Sequence, residues 1–198
     1  MEILVFNKWS AKEAAVTDEG LKRYITLEPT YRTKTGARYG SKRFYKSKVF
    51  IIERLINKLM VPGHRARKHK MSSGHITGKS SGARKIVHTA FSLVEQRTKK
   101  NPFTVFVTAL ENCAPREEII TIEYGGARYP KAVDSAPQRR VDVALRYLIH
   151  GSFDKAFNKK KNISEALADE IINSYALNSE SLGVSKKNET ERQADSSR

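Results

Sequence analysis

Residues 31–100 carry 19 lysines and arginines but only two acids, Glu53 and Glu95. The rest of the 198-residue chain is nearly neutral: residues 1–30 hold four basic and five acidic side chains, and residues 101–198 hold fourteen of each. The net charge of +16 therefore comes from one third of the sequence. Such a block opposes its own compaction by self-repulsion, so a fold does not need it. A polyanion that neutralises it is the simplest reason for it to exist.

A membrane surface fits less well. No apolar run approaches the ~18 residues of a spanning helix. The start, MEILVFNKWSAKE, lacks a positive region followed by an apolar stretch, so it does not read as a signal peptide. No lipidation motif is present. The single cysteine, Cys113, excludes an internal disulfide and suits a reducing cytosol.

The periodicity indicates a mainly α fold with an extended basic N-terminal arm. Residues 1–47 form the arm, with Trp9, Tyr24, Ile25 and Leu27 as local anchors. From Tyr31 to Lys48 it turns basic, glycine-containing and aromatic, a composition that orders against a partner. A helix is expected from Val49 to Met60, capped by Ser47. Its apolar stripe is Val49, Ile52, Leu55, Ile56 and Leu59, with Glu53, Arg54, Asn57 and Lys58 facing out. Residues 61–82 are a long basic loop carrying Arg65, Arg67, Lys68, Lys70 and Lys79.

Further helices are expected at Ala83–Thr98, with Arg84 and Lys85 off the core face, and at Phe103–Cys113, opened by Asn101-Pro102. At residues 119–133 the period changes to that of strands around Gly125-Gly126. This is a hairpin whose tight turn needs positive φ, and Pro130 demands a free edge on its strand. Helices then resume after Pro137, at ISEALADEIINSYAL with an Asn162–Glu165 capping box, and more weakly from Ser185. The units expected are an arm (1–47), a helical domain (48–178) with its hairpin (119–133), and a C-terminal tail (179–198).

Three chemistries suggest themselves and fail. GHITGKS, residues 74–80, resembles a phosphate-binding loop but is one residue short and follows no strand. His64, His69 and His75 lack the fourth ligand of a structural zinc site. Cys113 falls on an apolar helix face, where a buried thiol is ordinary. The acids form no positioned pair. No cofactor, no metal and no enzymatic activity are expected. What remains is clustered Lys/Arg interleaved with Tyr31, Tyr39, Phe44 and Tyr45: cations for phosphates and rings for unpaired bases.

Several strings sharpen this to a family. KWS (8–10), LKRYI (21–25), IIERLINKLM (51–60), NPFTVFVTALENCAPREE (101–118), YGGARYPKAVDSAPQRRVDVALRYL (124–148) and ALADEIINS (166–174) resemble ribosomal protein seven of the small subunit, in its archaeal and eukaryotic-like form. The resemblance implies about six helices with a β-hairpin between the third and fourth. It also implies binding to the head domain of small-subunit rRNA, nucleation of head assembly, and a place near the subunit interface. Its hairpin would lie by exit-site tRNA and the mRNA exit path, with small-subunit proteins nine and eleven as neighbours, in a cytoplasmic ribosome.

Carried over by position, Lys42, Arg43, Lys46 and Lys48 should lie on rRNA, as should Arg139, Arg140 and Arg146. Gly125, Gly126 and Arg128 form the hairpin tip, and Arg116 is a further contact. Arg65, Arg67, Lys68, Lys70 and Lys79 of the loop, with Arg84 and Lys85 at the following helix start, extend the same surface. Two departures from the family pattern are the long loop from His64 to Ser81 and the polar Thr190 and Gln193 near the C-terminus. The rival readings are a free-standing nucleic-acid-binding protein and a nucleotide hydrolase using Gly78, Lys79 and Ser80.

Overall fold

A computed structural model describes residues 3–64, 76 and 78–198. Helix α2, Ile51–Leu59, shows how the chain builds its core. Ile51, Ile52, Leu55, Ile56 and Leu59 are each at most 2% exposed. Glu53 and Arg54, expected to face out, are buried as well. Five apolar residues in nine leave a narrow polar arc, and neighbouring segments cover it. Ser47 does not cap this helix: its hydroxyl donates to Phe44 O (2.7 Å). The N-terminal segment does so instead, as Ile51 N donates to Thr26 O (3.1 Å) and satisfies one of the free amides of the first turn.

That segment is largely part of the bundle. Val5, Trp9, Leu21 and Ile25 are buried, and Trp9 meets Phe91 edge-on at 6.0 Å. It includes the short helix α1, Glu19–Lys22, capped by Asp18. Trp9 and Ile25 thus anchor it, with Tyr24 and Leu27 packed partly against the core. Only from Glu28 onward does it run over the surface, ending in a 3-10 turn at Tyr45–Lys48.

Helix α3, Ser80–Thr98, begins three residues before the sequence reading and buries Ala83, Val87, Ala90, Phe91 and Val94 along one face. Helix α4, Pro102–Asn112, starts as expected: Asn101 accepts from Phe103 N (3.1 Å) and proline occupies the first turn.

The hairpin follows, with β1 at Glu117–Tyr124 and β2 at Ala127–Asp134. Gly125 and Gly126 have φ of +58° and +81°, the left-handed pair that a two-residue turn matching the strand twist requires. Counting the ladder alternation from that turn, Thr121–Pro130 is a non-hydrogen-bonded pair. The missing N–H of proline therefore points outward, as the free-edge argument requires. From Ile120 to Lys131 every residue is exposed, so the ribbon projects.

Helices α5 (Pro137–Ala156), α6 (Ile163–Tyr175) and α7 (Leu182–Asp195) complete the chain. Among the described residues there are seven helices, and α1 moves the hairpin from after the third to after the fourth. Helix α6 sits centrally against α3, α4 and α5. Asn162 precedes it but makes no side-chain cap bond, so the expected capping box is not formed.

Helix α7 is pinned by a buried acid on α6. Glu170 Oε1 accepts from Ser181 Oγ (2.8 Å) and Gly183 N (3.3 Å), and Oε2 receives Lys155 Nζ (2.7 Å). Gly183, Val184 and Ala194 are the buried contacts of α7, so the polar Thr190 and Gln193 do not prevent it from docking. Helix α7 also braces the hairpin root: Glu191 accepts from Arg116 N (2.9 Å), and Arg198 pairs with Glu117.

Candidate nucleic-acid interface

The surface segment from Glu28 to Lys48 is held down by a few polar contacts. Thr35 donates from its amide (2.7 Å) and its hydroxyl (2.6 Å) to Glu53 on α2. Arg84, near the start of α3, donates to Thr33. Lys46 lies 2.8 Å from the Asp142 carboxylate on α5. The basic segment therefore spans from the N-terminal end of α3 to the second turn of α5, with α2 beneath it.

Its cations mostly stay free for a partner. Lys42, Arg43 and Lys48 are exposed and lie over rings rather than on acids: Arg43 over Phe44 at 5.2 Å, Lys48 over Tyr45 at 5.4 Å and Lys42 over Tyr45 at 5.8 Å. Phe44 is 56% exposed in the left-handed region (φ +61°), and Tyr31 is 77% exposed. Exposed rings beside exposed cations are what stacking on unpaired bases requires. Lys79 and Lys85 are exposed at the start of α3, and Arg146 is exposed on α5. Arg65, Arg67, Lys68 and Lys70 lie outside the described residues, as do His69 and His75.

Arg139, Arg140 and Arg146 of α5, all expected on rRNA, do not share one exposed surface. Arg139 is well exposed and grips Glu118 at the hairpin root, with Nε 2.7 Å from Oε2. Arg140, one residue on, points the other way and is buried: Nε donates to Pro115 O (3.0 Å) and Nη2 meets Asp18 Oδ2 (2.8 Å). The expectation that Arg140 offers a free surface is therefore wrong. A helix places successive residues ~100° apart, and Arg140 falls on the side covered by α1 and the turn after α4. At the hairpin tip Arg128 is 75% exposed, 3.5 Å from Glu123 across the ladder.

The acid that organises the centre is Asp142, which the sequence reading missed. Arg54, nearly buried, donates from Nη2 to Asp142 Oδ1 (3.1 Å) and from Nη1 to Tyr24 O (2.9 Å). Burial pulls the Asp142 carboxyl upward, but Lys46 and Arg54 outweigh it and hold it below the usual carboxylate range. The signal in the sequence was there to use: Asp142 is the one acid between Arg139 and Arg146.

No group of three or more potential metal ligands occurs among the described residues. Both described strands lie in the hairpin, so none leads into Gly78-Lys79-Ser80 at the start of α3. The buried Cys113 thiol is pushed up to about 11, chiefly by burial, so it is no ready nucleophile. No described helix is long and apolar enough to cross a membrane.

Residues 21–198 match the family Ribosomal protein S7p/S5e. The chain belongs to that family. Among its S7p/S5e relatives, the "Small ribosomal subunit protein uS7" of Nanoarchaeum equitans is 49% identical over 198 residues, the whole of both chains. The protein of the same name from Archaeoglobus fulgidus is 45% identical over all of this chain and 96% of its own. That of Methanothrix thermoacetophila is 42% identical, over 98% of this chain and 99% of its own. The S7p/S5e family comprises ribosomal proteins rather than enzymes, which removes the hydrolase reading.

Proposed function

We propose that this chain is a structural protein of the small ribosomal subunit that binds the head domain of its rRNA and nucleates assembly of the head. It works in the cytoplasm, ribosome-bound, near the subunit interface. Its hairpin, with Gly125, Gly126 and Arg128 at the tip, lies close to exit-site tRNA and the mRNA exit path, and small-subunit proteins nine and eleven are its neighbours. Family membership supports the small-subunit role. The observation that carries rRNA binding is the surface from Lys42 to Lys48 with Lys79, Lys85 and Arg146, where exposed cations and rings stand together and the nearby acids Glu53 and Asp142 are already engaged. Lys42, Arg43, Lys46, Lys48, Arg84 and Arg139 contribute through the same face or its edge.

The test is binding to head-domain rRNA fragments across a salt series. Each neutralised phosphate contributes about 0.7–0.9 to the slope of log affinity against log salt. A steep slope with preference over unrelated RNA of equal length is expected. A flat response, or equal binding to any RNA, overturns the proposal.

A further inference from the structure

Between α2 and α5 lies a cavity of about 310 Å³ whose described walls carry four cations and one acid. A water's share of volume is about 30 Å³, so the cavity holds a phosphate group with room for its hydration. Lys46 and Arg54 both lean on Asp142, which uses up that acid. Lys58 on α2 and Arg146 on α5 line the same cavity, and the one acid among its described lining residues is Asp142. Tyr39 of the surface segment closes one side, so the cavity opens beneath the basic stretch itself.

We propose that this cavity seats one phosphodiester of the bound RNA, with Lys58 and Arg146 contacting its oxygens and the Asp142-held pair of Lys46 and Arg54 forming a charged rim. The assignment rests on the rRNA-binding reading above and deepens it. Three features favour an RNA phosphate as the occupant. The walls carry an unmatched positive charge. Arginine supplies a planar fork and lysine a compact charge, a pairing suited to phosphate oxygens. And the cavity continues a segment already rich in exposed cations and rings.

Lys58 marks the site most sharply, and sequence reading passed over it as a solvated helix residue. It is half-buried. Burial lowers its pKa, Arg146 and Lys46 lower it further, and Asp142 offsets this only in part. A half-buried ammonium beside two other cations is a favourable place for an anion.

The test uses the full chain with lysine side chains isotopically labelled at Cε and the Lys58 resonance assigned through Lys58→Arg. Inorganic phosphate, against chloride at matched ionic strength, should shift the Lys58 signal and raise its titration midpoint. No shift overturns the site. In parallel, head-domain rRNA fragments are titrated with wild type, Lys58→Gln and Lys159→Gln, the last removing one exposed charge after α5.

Lys58→Gln should weaken binding severalfold and lower the salt slope by about 0.7–0.9, one phosphate contact. Lys159→Gln should change both less. Should Lys58→Gln lose its helical circular dichroism, Lys58→Met, which keeps the apolar stem, replaces it with the same criterion. Equal behaviour of the two variants, with wild type still binding, overturns the seat and leaves the rRNA reading standing. If wild type shows no preference for head-domain RNA, the rRNA reading falls, and the inorganic phosphate result alone decides the cavity.

Discussion

Arg140 and Asp18 stand 122 positions apart in the chain, yet Nη2 of one lies 2.8 Å from Oδ2 of the other. The same guanidinium donates to Pro115 O, so α5, the N-terminal segment and the turn after α4 are joined by one side chain. Removing it leaves a buried carbonyl and a partly buried carboxylate without their partner. Arg140→Ala should cost about 1–3 kcal/mol. At about 2–4 °C per kcal/mol for a chain this size, that is several degrees of melting temperature. Arg139→Ala, at an exposed site, should stay within about 0.5 kcal/mol. Calorimetry of the two variants side by side checks this, and equal melting temperatures would refute it.

The centre of the interface should be acid-sensitive. Asp142 is held below the ordinary carboxylate value by Lys46 and Arg54 against the opposing effect of burial. A carboxylate with a depressed folded-state pKa adds stability above its unfolded value, about 3.9, and loses it as pH falls through the lower folded value. Wild type should therefore lose stability steeply below about pH 4. In Asp142→Asn that acid limb should be shallower, although the variant is less stable at pH 7 because Arg54 stays buried without its counter-charge. Melting temperature measured from pH 7 down to pH 2 for both proteins gives the comparison.

Two glycines should not tolerate alanine. A Cβ on Gly151 of α5 would lie 2.7 Å from the Glu170 carboxyl and 2.9 Å from Leu182 Cβ, and one on Gly183 would collide with Cys113 Sγ. Within a helix, Gly→Ala ordinarily gains up to about 1 kcal/mol. Here overpacking reverses the sign, with a loss of about 1–3 kcal/mol for each. Urea denaturation of Gly151→Ala and Gly183→Ala should give lower midpoints than wild type, whereas Gly82→Ala, open around its Cβ position, should not.

The hairpin turn should fail locally rather than globally. Valine at Gly125 or Gly126 must adopt positive φ, at about 1–2 kcal/mol per residue. Since the ribbon beyond Ile119 is exposed, this strain has little packing to disturb. Hydrogen exchange at β1 and β2 amides should accelerate while the bundle's melting temperature moves little. A cooperative loss of the whole fold would show that the ribbon is integral to the core.

Much of the fold was legible because the helices repeat apolar residues at helical spacing and Gly125-Gly126 breaks that pattern. Asn101-Pro102 and Pro137 mark the starts of α4 and α5 for a similarly local reason. What escaped the sequence was long-range pairing. Arg54 and Arg140 look like any solvated arginine until Asp142 and Asp18 are brought to them from 88 and 122 positions away. The cap of α2 was missed likewise, because Thr26 O, rather than the local Ser47, supplies it. At the candidate site, the basic and aromatic character of Tyr31–Lys48 followed from composition, and the choice of Lys42, Arg43 and Lys48 within it from the family resemblance. Lys58 did not, since its setting depends on Arg146 across the cavity.

The hairpin's foot is clamped at Arg116 and Glu117 by Glu191 and Arg198, while its far end, from Ile120 to Lys131, stands exposed. Eight paired residues at ~3.4 Å each make a lever of about 27 Å. Any neighbour pushing on Tyr124 or Arg128 delivers its torque to that foot, and so to α7 and the Glu170 anchor behind it. A crowded tip would then be felt first as loosening of α7, well before the α3–α6 packing gives way.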